Sequence, residues 1–298
     1  MYKQENSKIM SLYAISPVHA GAGSSMGVVD LPVQRERHTS WPYIQASGVK
    51  GSMRHHFEKF KSVLGQPEKE NQLDPLTDKI FGSENYGDDG TLPGAVSVSD
   101  AKLLAFPMRS SKSPFVCITC PAVLKRLEND LILTGKSEGM TIPSVAEDEA
   151  IIISGNIKPD EKILLEDYEV KIIADESLKI SATAKKMLEK AETLLLVRDS
   201  IFKYGVENCM EIRTQIKIDD ETGTTVDGSL RYEELLPSDS LMYVVLVHGA
   251  SRNTENAIQA EQLISYMKDE VIKSHIQIGG DETLGCGLFQ IEWIEGDL

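Results

Sequence analysis

Residues 8–17, KIMSLYAISP, decide the fold, because they have the pattern of a strand at the centre of a sheet. Apolar side chains occupy both faces of such a strand, with Ile9, Tyr13 and Ile15 on one face and Met10, Leu12 and Ala14 on the other. A strand that is apolar on both faces is typically buried on both. We therefore expect this segment to be a central strand around which the remaining elements pack.

A long segment without strand or helix periodicity follows at residues 18–46, and we predict that it is a functional loop, because loops of this length are uncommon inside a compact domain. Its stretch HAGAGSSMGVVDLPVQRERH, residues 19–38, combines glycines that allow close backbone approach, arginines that fork onto phosphates, and an aspartate able to hold a metal or a proton. An ordinary polar surface loop fits the same residues, so the pattern alone leaves both interpretations open.

A helix is predicted after this loop, with Ser47 as its N-cap and Gly65 at its end. Its apolar residues recur every three or four positions and form one stripe, which comprises Val49, Met53, Phe57, Phe60 and Leu64. Lys50 and Arg54 lie on a neighbouring face, one turn from the helix start. Because a helix N-terminus already favours anions, this turn is a candidate phosphate site.

The remaining chain reads as an alternation of strands and helices. Strands are predicted at 95–107, 115–120, 151–153, 162–165, 241–247, 275–278 and 288–294, and helical segments at 122–133, 178–204 and 254–272. Residues 211–218 and 224–235 flank the turn DDETG and indicate a long hairpin. The order of the main elements predicts an α+β fold with a ferredoxin-like (RRM-like) βαββαβ core, a single domain over residues 1–298. An acidic and helical insertion at 138–205 and the hairpin at 211–235 would be added to it.

The net charge of −15 at first argues against a nucleic-acid partner, but the charge is unevenly distributed. Residues 1–65 carry eight basic and four acidic side chains, whereas residues 138–176 carry eleven acidic side chains and three lysines. Phosphate binding depends on local potential, so a basic face can bind RNA while an acidic face stays solvated. If the basic and the acidic segments were two ordinary solvated surfaces, they would have the same charge distribution.

Other classes of protein are disfavoured by the sequence. No apolar run approaches the roughly 20 residues of a membrane-spanning helix, and we expect no membrane partner. The first residues, MYKQENSKIM, lack the pattern of a secretory signal, and four cysteines in 298 residues do not make a disulfide framework. The cytoplasm is therefore the expected compartment. Cys117 and Cys120 form a CxxC pair without two further zinc ligands at suitable spacing, and we interpret them as buried structure.

A glycine-rich stretch near the end, IGGDETLGCGLF, lies between two predicted strands and contains Gly279, Gly280, Gly285 and Gly287. It is neither a P-loop nor a dinucleotide fingerprint, since no GK[ST] follows and the next element is a strand. A backbone path for a nucleic acid is possible. A tight turn with a bulge is the alternative, and spacing alone favours the turn.

Taken together, LYAISPVHAGAGSSMGVVDLPVQRERHTSWPYIQASGVKGSMR at residues 12–54 and IQIGGDETLGCGLFQI at residues 276–291 resemble the backbone subunit of type III-B (Cmr-type) CRISPR effectors, members of the RAMP superfamily. The resemblance implies a palm on a ferredoxin-like core and a thumb formed by the hairpin. It also implies partners: a guide CRISPR RNA, a target RNA, further copies of the chain and other subunits of the complex. The thumb would wedge into the guide–target duplex and flip nucleotides out at regular intervals.

The resemblance also implies roles for individual residues. Lys50 and Arg54 match the family's KGxxR segment and would hold guide phosphates. The RNA-binding set comprises these two with Arg35, Arg37, Gly279, Gly280, Gly285 and Gly287. An aromatic residue follows the paired glutamates in some relatives, but Leu235 stands there in this chain, which puts a stacking role at that position in doubt.

Asp30 matches the loop aspartate of the family and is expected to be the essential carboxylate and a ligand of a divalent metal ion, most simply Mg²⁺. A ribose 2′-hydroxyl would attack the adjacent phosphate and leave a cyclic phosphate. His19 and Glu233 are candidates for proton transfer or orientation. Two rival interpretations remain: a guide-binding structural subunit that does not cut, and an unrelated phosphometabolite enzyme that uses the glycine loop.

Overall fold

The computed structural model describes residues 3–61, 75–83, 93–250 and 259–294, and these parts form a mixed α/β molecule. The strands are β1 Ser7–Ala14, β2 Tyr43–Ile44, β3 Val96–Val98, β4 Ala101–Arg109, β5 Phe115–Thr119, β6 Glu149–Ser154, β7 Lys162–Leu165, β8 Tyr168–Ile173, β9 Leu194–Val197, β10 Glu211–Gln215, β11 Arg231–Leu235, β12 Leu241–His248, β13 His275–Gln277 and β14 Leu288–Ile294. The helices are α1 Ala46–Lys61, α2 Pro75–Phe81, α3 Pro121–Leu133, α4 Ala182–Leu188, α5 Asp199–Asn208 and α6 Ala260–Tyr266. A π-helical turn, Met267–Val271, extends α6, and short 3₁₀ turns occupy Gln4–Asn6 and Glu282–Leu284.

The strand predicted to be central lies between two antiparallel neighbours. β1 pairs with β12 on one side and with β14 on the other, and its residues Ile9, Met10 and Leu12 are fully buried. The neighbouring strands run in the order β13-β14-β1-β12-β4. Along the chain β1, α1, β4, β12, α6 and β14 follow the predicted β–α–β–β–α–β order. The single strand predicted at residues 95–107 is divided into β3 and β4, which both pair with β12.

The sheet continues beyond β4 through the insertion, in the order β5-β9-β6-β8-β7. The prediction of helical structure throughout residues 178–204 is wrong at its centre, where β9 forms. All four residues of β9, Leu194–Val197, are fully buried, and the strand pairs with β5 in parallel and with β6 antiparallel. The helix-forming residues on either side fold into two short helices, α4 and α5. Long-range sheet pairing therefore overrides local helical composition here.

The apolar stripe predicted for the first helix faces the core. Val49, Met53 and Phe57 of α1 are fully buried, and the ring of Phe57 contacts the rings of Phe81 and Tyr266 edge-on. Some predictions lie outside the described residues. They concern the side chain of Phe60, Leu64, Gly65 and residues 254–258 of the last predicted helix. This packing fixes α1 against α6 and holds the start of α1 beside the long loop.

The predicted hairpin is confirmed as a separate two-stranded sheet, in which Glu211 pairs with Leu235 and Gln215 with Arg231. A further bridge between Ile218 and Thr225 extends the pairing toward the tip. None of the helices in the described part of the chain combines the length and the apolar composition needed to cross a membrane.

Candidate functional site

Three consecutive residues of β11, Tyr232–Glu234, hold the long loop at the base of the hairpin. The Asp30 backbone N–H donates to the Tyr232 carbonyl at 3.1 Å, and the Tyr232 N–H donates to Oδ2 of the Asp30 carboxylate at 2.7 Å. This reciprocal pair fixes both the main chain and the side chain of Asp30. The predicted essential carboxylate is therefore a positioned, partly exposed group at the junction of loop and hairpin.

His19 is held by the next residues of the same strand. Its Nδ1 lies 2.9 Å from the Glu234 carbonyl oxygen and 3.4 Å from Oε1 of Glu233. Because a carbonyl oxygen only accepts, Nδ1 carries the proton in this arrangement, and in the neutral ring Nε2 carries the lone pair. A Cβ built at Gly21 would lie 2.6 Å from Nε2, so glycine at this position keeps the space next to the nitrogen free of a side chain. The basic nitrogen of His19 thus faces the loop that carries Asp30.

Glu233 is almost completely buried behind His19. Oε2 accepts a hydrogen bond from Nε2 of Gln215 across the hairpin at 2.5 Å. Burial and a hydrogen bond with the Asp281 side chain raise the pKa of Glu233, while the charges of His19 and Arg231 oppose that rise. The buried carboxylate of Glu233 therefore helps to orient the imidazole of His19 through its contact with Nδ1.

The neighbouring glutamate, Glu234, binds the second half of the loop. Its Oε2 accepts the Val33 backbone N–H at 3.0 Å, and its Oε1 accepts from the Arg35 guanidinium at 2.6 Å. Arg35 also donates to the carbonyls of Ser40 and Val206. Three intramolecular partners thus engage the partly buried guanidinium of Arg35, which braces the loop, and RNA binding by Arg35 stays a prediction.

Arg37, two residues further on, is exposed and makes no hydrogen bond or ion pair with the described part of the chain. It remains the loop cation predicted to meet RNA. Lys50 of α1 is half-buried, and desolvation together with the charge of Arg54 lowers the pKa of Lys50. A bound phosphate would offset both effects, because an anion next to an ammonium group favours its charged form.

The second cation predicted on α1, Arg54, has several partners within the protein. Its guanidinium contacts Glu58 and Asp78 at 3.0 Å and donates to the Gly82 carbonyl at 2.6 Å. These contacts join α1 to α2. Phosphate binding by Arg54 stays a prediction, and in this arrangement the side chain ties two helices together.

The glycine loop, residues 279–287, lies directly against the start of the long loop, residues 18–46. The Gly280 N–H donates to the His19 carbonyl at 2.8 Å, and a Cβ at Gly279, where φ is +103°, would lie 2.7 Å from the same oxygen. At Gly287 a Cβ would lie 2.4 Å from the Ile278 carbonyl oxygen. The glycines at 279 and 287 are thus required by close backbone packing, which is the tight-turn alternative, and the turn presents its surface next to His19.

The start of α1 also belongs to this side of the molecule. Gln34 donates its backbone N–H to the Ala20 carbonyl, and its Oε1 accepts the Gln45 N–H at the helix start, both at 2.8 Å. At the other end of α1, Lys59 lies 3.6 Å from Glu282 of the glycine loop. The long loop, the first helix and the glycine loop therefore converge on one side.

Both the hairpin and the middle of the loop expose apolar side chains. Met26 and Val28 of the loop are fully exposed. About half of each side chain is exposed at four positions on the hairpin: Ile212, Ile216, Ile218 and Leu230. Leu235, which stands where some relatives of the resembled family have an aromatic residue, is fully buried, so it packs in the interior and cannot stack on a ligand.

The metal expected from the resemblance would rely on Asp30. Within the described residues no three His, Cys, Asp or Glu side chains form a group suited to a metal ion. Mg²⁺ is commonly held by one or two carboxylates together with substrate phosphates and water, so a lone carboxylate beside an RNA phosphate fits its chemistry. The Tyr232 N–H engages Oδ2 of Asp30 and orients the carboxylate for such a contact.

Sequence reasoning identified His19, Asp30 and Glu233, which the structure joins through β11, and noted Glu234 as one of the paired glutamates, but it missed Gln215 and Asp281. The pairing of Gln215 with Glu233 could have been anticipated from hairpin register. The position of Asp281 depends on a backbone contact between distant parts of the chain, which no local pattern encodes.

Comparisons with known proteins agree with this architecture. The family model described as the RAMP superfamily matches residues 11–290. The CRISPR system Cmr endoribonuclease Cmr4 of Pyrococcus furiosus is 34% identical over 95% of this chain and 94% of its own length. The CRISPR system CMR subunit Cmr4 of Saccharolobus solfataricus is 24% identical, covering 94% of each chain.

Solved structures give the same result. The crystal structure of oligomeric Cmr4 from Pyrococcus furiosus superposes with a TM-score of 0.71 at 29% identity, over 98% of this chain and all of that one. A chain in the cryo-EM structure of the type III-B Cmr-beta complex bound to cognate target RNA gives a TM-score of 0.72 at 21% identity over 97% of both chains, which shows a common fold. By family model, identity and structure, this chain belongs to the RAMP superfamily.

Proposed function

We propose that the chain is the repeated, guide-RNA-binding backbone subunit of a type III-B CRISPR effector complex, and that it cuts the target RNA at regular intervals. The observation that carries the proposal is the hold of β11 on both Asp30 and His19 at the base of the hairpin. The names of the relatives support it, since one is an endoribonuclease and another is part of a complex bound to target RNA. Oligomeric packing of a relative supports self-association along the guide.

The chemistry follows from the groups at this junction. His19 Nε2 accepts the proton of a ribose 2′-hydroxyl, and the 2′ oxygen attacks the adjacent phosphorus. The bond from phosphorus to the 5′ oxygen breaks, which leaves a 2′,3′-cyclic phosphate, and the 5′ oxygen takes a proton from water to become a hydroxyl. The attack requires the attacking and leaving oxygens in line, which a nucleotide flipped out of the duplex can reach. Glu233 and the Glu234 carbonyl keep Nδ1 protonated, so that Nε2 is the nitrogen available as the base.

Asp30 would hold a divalent metal ion, Mg²⁺ in the simplest case, and that ion would supply neutralisation of the charge that develops on the phosphate. Asp30 itself would present a fixed carboxylate beside the phosphate whose attack His19 assists. Its double contact with Tyr232 supports that part, because a side chain held in one orientation loses little entropy when its partner binds.

Guide binding would use the exposed cations and the backbone of the same side. Arg37 and Lys50 would contact phosphates, the glycine loop would line the path, and the exposed apolar hairpin would separate base pairs of the guide–target duplex. The cytoplasm is the proposed compartment, because all four cysteines are free thiols and three of them are buried.

The decisive experiment replaces Asp30 by Asn in a complex reconstituted with guide and target RNA. We expect single-turnover cleavage to fall by roughly 10²- to 10³-fold while guide and target binding remain. Asp148→Asn, at an exposed position of the insertion, is the matched control and should cut like the wild type. Wild-type cutting by Asp30→Asn would eliminate the catalytic role and leave the chain as a structural guide-binding subunit, in which Lys50→Ala still weakens guide binding.

A further inference from the structure

A second carboxyl group lies behind the candidate catalytic histidine, and the chemistry described so far does not use it. Asp281 belongs to the glycine loop, and its side chain meets that of Glu233. Its Oδ2 is buried and receives no hydrogen bond from the described part of the chain. A buried carboxylate oxygen without a donor costs free energy, so this arrangement needs a compensating contact.

Two ionised carboxylates cannot provide that contact for each other, because both only accept hydrogen bonds. They attract when one of them carries a proton and donates it to the other. The charged groups around Glu233 come from three segments: His19 from the long loop, Arg231 and Arg213 from the hairpin, and Asp281 with the Cys286 thiol from the glycine loop. The Arg213 guanidinium, opposite Glu233 in the hairpin, donates to Glu211 and Cys286.

A strained backbone conformation holds Asp281 in this position. Asp281 has a φ of +57°, in the left-handed region that non-glycine residues seldom adopt, and the residue before it, Gly280, donates its N–H to the His19 carbonyl. The Asp281 carbonyl in turn accepts the Cys286 and Leu284 N–H groups. The same turn therefore grips the main chain of His19 and directs a carboxyl group at the glutamate beneath its ring.

We propose that Asp281 is a positioning residue for His19. The carboxyl groups of Asp281 and Glu233 share one proton, and this contact keeps the Glu233 carboxyl against Nδ1 of the imidazole. This inference rests on the proposed function of His19 as the base. The shared proton leaves the pair with a single negative charge. Oε1 of Glu233 stays beside the N–H of Nδ1, and the lone pair of Nε2 stays directed at the loop.

The pH dependence has a defined sign. Burial and the Asp281 contact raise the pKa of Glu233, so the pair keeps its proton at low pH and loses it as the pH rises through that raised pKa. Two facing anions then repel, Glu233 leaves Nδ1, and the orientation of His19 is lost. Asp281→Asn avoids this loss, because the amide N–H donates to the Glu233 carboxylate at any pH, and Asn tolerates the left-handed backbone.

The test uses the reconstituted complex with Asp281→Ala, Asp281→Asn and Asp148→Asn, an exposed carboxylate of the insertion that serves as the control. We expect Asp281→Ala to lower the single-turnover cleavage rate about 10-fold or more, since small displacements of a catalytic group cost rate steeply. Asp281→Asn should keep the rate within about threefold, and its rate relative to the wild type should rise with pH. Asp148→Asn should match the wild type at every pH.

Infrared spectroscopy of the whole chain reads the proton directly, through the carbonyl band of a protonated carboxyl group. In the wild type this band should persist to higher pH than the ordinary carboxyl titration near 4. It should disappear in both Asp281→Asn and Glu233→Gln. A band that survives in Asp281→Asn, or an Ala variant that cuts at the wild-type rate, overturns the inference.

The two proposals fail in different ways. If Asp30→Asn cuts like the wild type, the catalytic function falls whatever Asp281 does. If Asp30→Asn is inactive while Asp281→Ala and Asp281→Asn both cut at the wild-type rate with an unchanged pH profile, only the role of Asp281 falls. Circular dichroism and guide binding of each variant separate these results from failure to fold.

Discussion

The base and the tip of one hairpin differ in almost every respect. At the base, the side chains of Glu233 and Glu234 are buried and hydrogen-bonded to the long loop and its surroundings. Toward the tip, Ile216 and Ile218 are about half exposed and the strands pair through a single bridge. The base therefore organises a site within the chain, whereas the tip offers apolar surface to something outside it.

This difference indicates that sequence position on the hairpin separates two functions. Substitutions at the base should act on folding and on the geometry of the catalytic groups. Substitutions at the tip should leave the isolated chain intact and act only on the assembled complex. The following variants test that division, in order of the expected effect.

The largest effect is expected from Glu234→Ala at the base. The change strands the Arg35 guanidinium and the Val33 N–H inside the protein, and breaking such a buried pair costs about 3 kcal/mol of unfolding free energy. Chemical denaturation of the isolated chain measures the loss, and target cleavage should fall with it. Glu221→Ala, at the exposed tip, is the control and should change stability by less than about 0.5 kcal/mol. Equal losses in the two variants would abolish the distinction between base and tip.

A smaller effect is expected at the tip from the double variant Ile216→Ser and Ile218→Ser. Stability of the isolated chain should stay within about 0.5 kcal/mol, because both side chains are already half in water. Target cleavage should fall by roughly 10-fold, which corresponds to the loss of partial burial of two isoleucines against bases. Leu164→Ser, an equally exposed apolar position on β7, controls for general surface effects. Unfolding of the double variant at lower denaturant, or unchanged cleavage, would show that the tip has been misassigned.

The smallest effect is expected from Arg37→Ala, which applies the same contrast to two nearby arginines. Arg35 is bound inside the protein, whereas Arg37 is exposed. Removing one phosphate contact should lower the slope of guide affinity against salt concentration by about one unit. Arg109→Ala, an exposed arginine paired with Glu166, should leave that slope unchanged. An unchanged slope, or a loss of stability, would place Arg37 with Arg35.

Much of the fold could be predicted because its signals are local. The apolar pattern of β1, the stripe of α1 and the turn of the hairpin each depend on neighbouring residues. β9 could not be predicted in the same way, because its four apolar residues become a strand only when β5 and β6 are beside them.

The residues of the site likewise divide into those that the sequence could predict and those that depend on distant parts of the chain. His19, Asp30 and Glu233 were identified from residue types and family resemblance, and the structure joins them through β11. The intramolecular contacts of Arg35 and Arg54 were not predictable, because they depend on where the fold places Glu234, Asp78 and the Gly82 carbonyl. RNA binding by these two arginines stays a prediction.

The hydrogen bond from Gly280 to His19 has a consequence for how the protein is made. It joins the first loop to a turn near the far end of the described chain, and β14 must insert between β13 and β1 to bring that turn into place. Contacts of such long sequence separation slow folding, because the entropy of closing the intervening chain must be overcome before they form. During synthesis the N-terminal part emerges first, with its histidine unsupported. The backbone support of His19 is therefore complete only after β13 and β14 have been made and have joined the sheet.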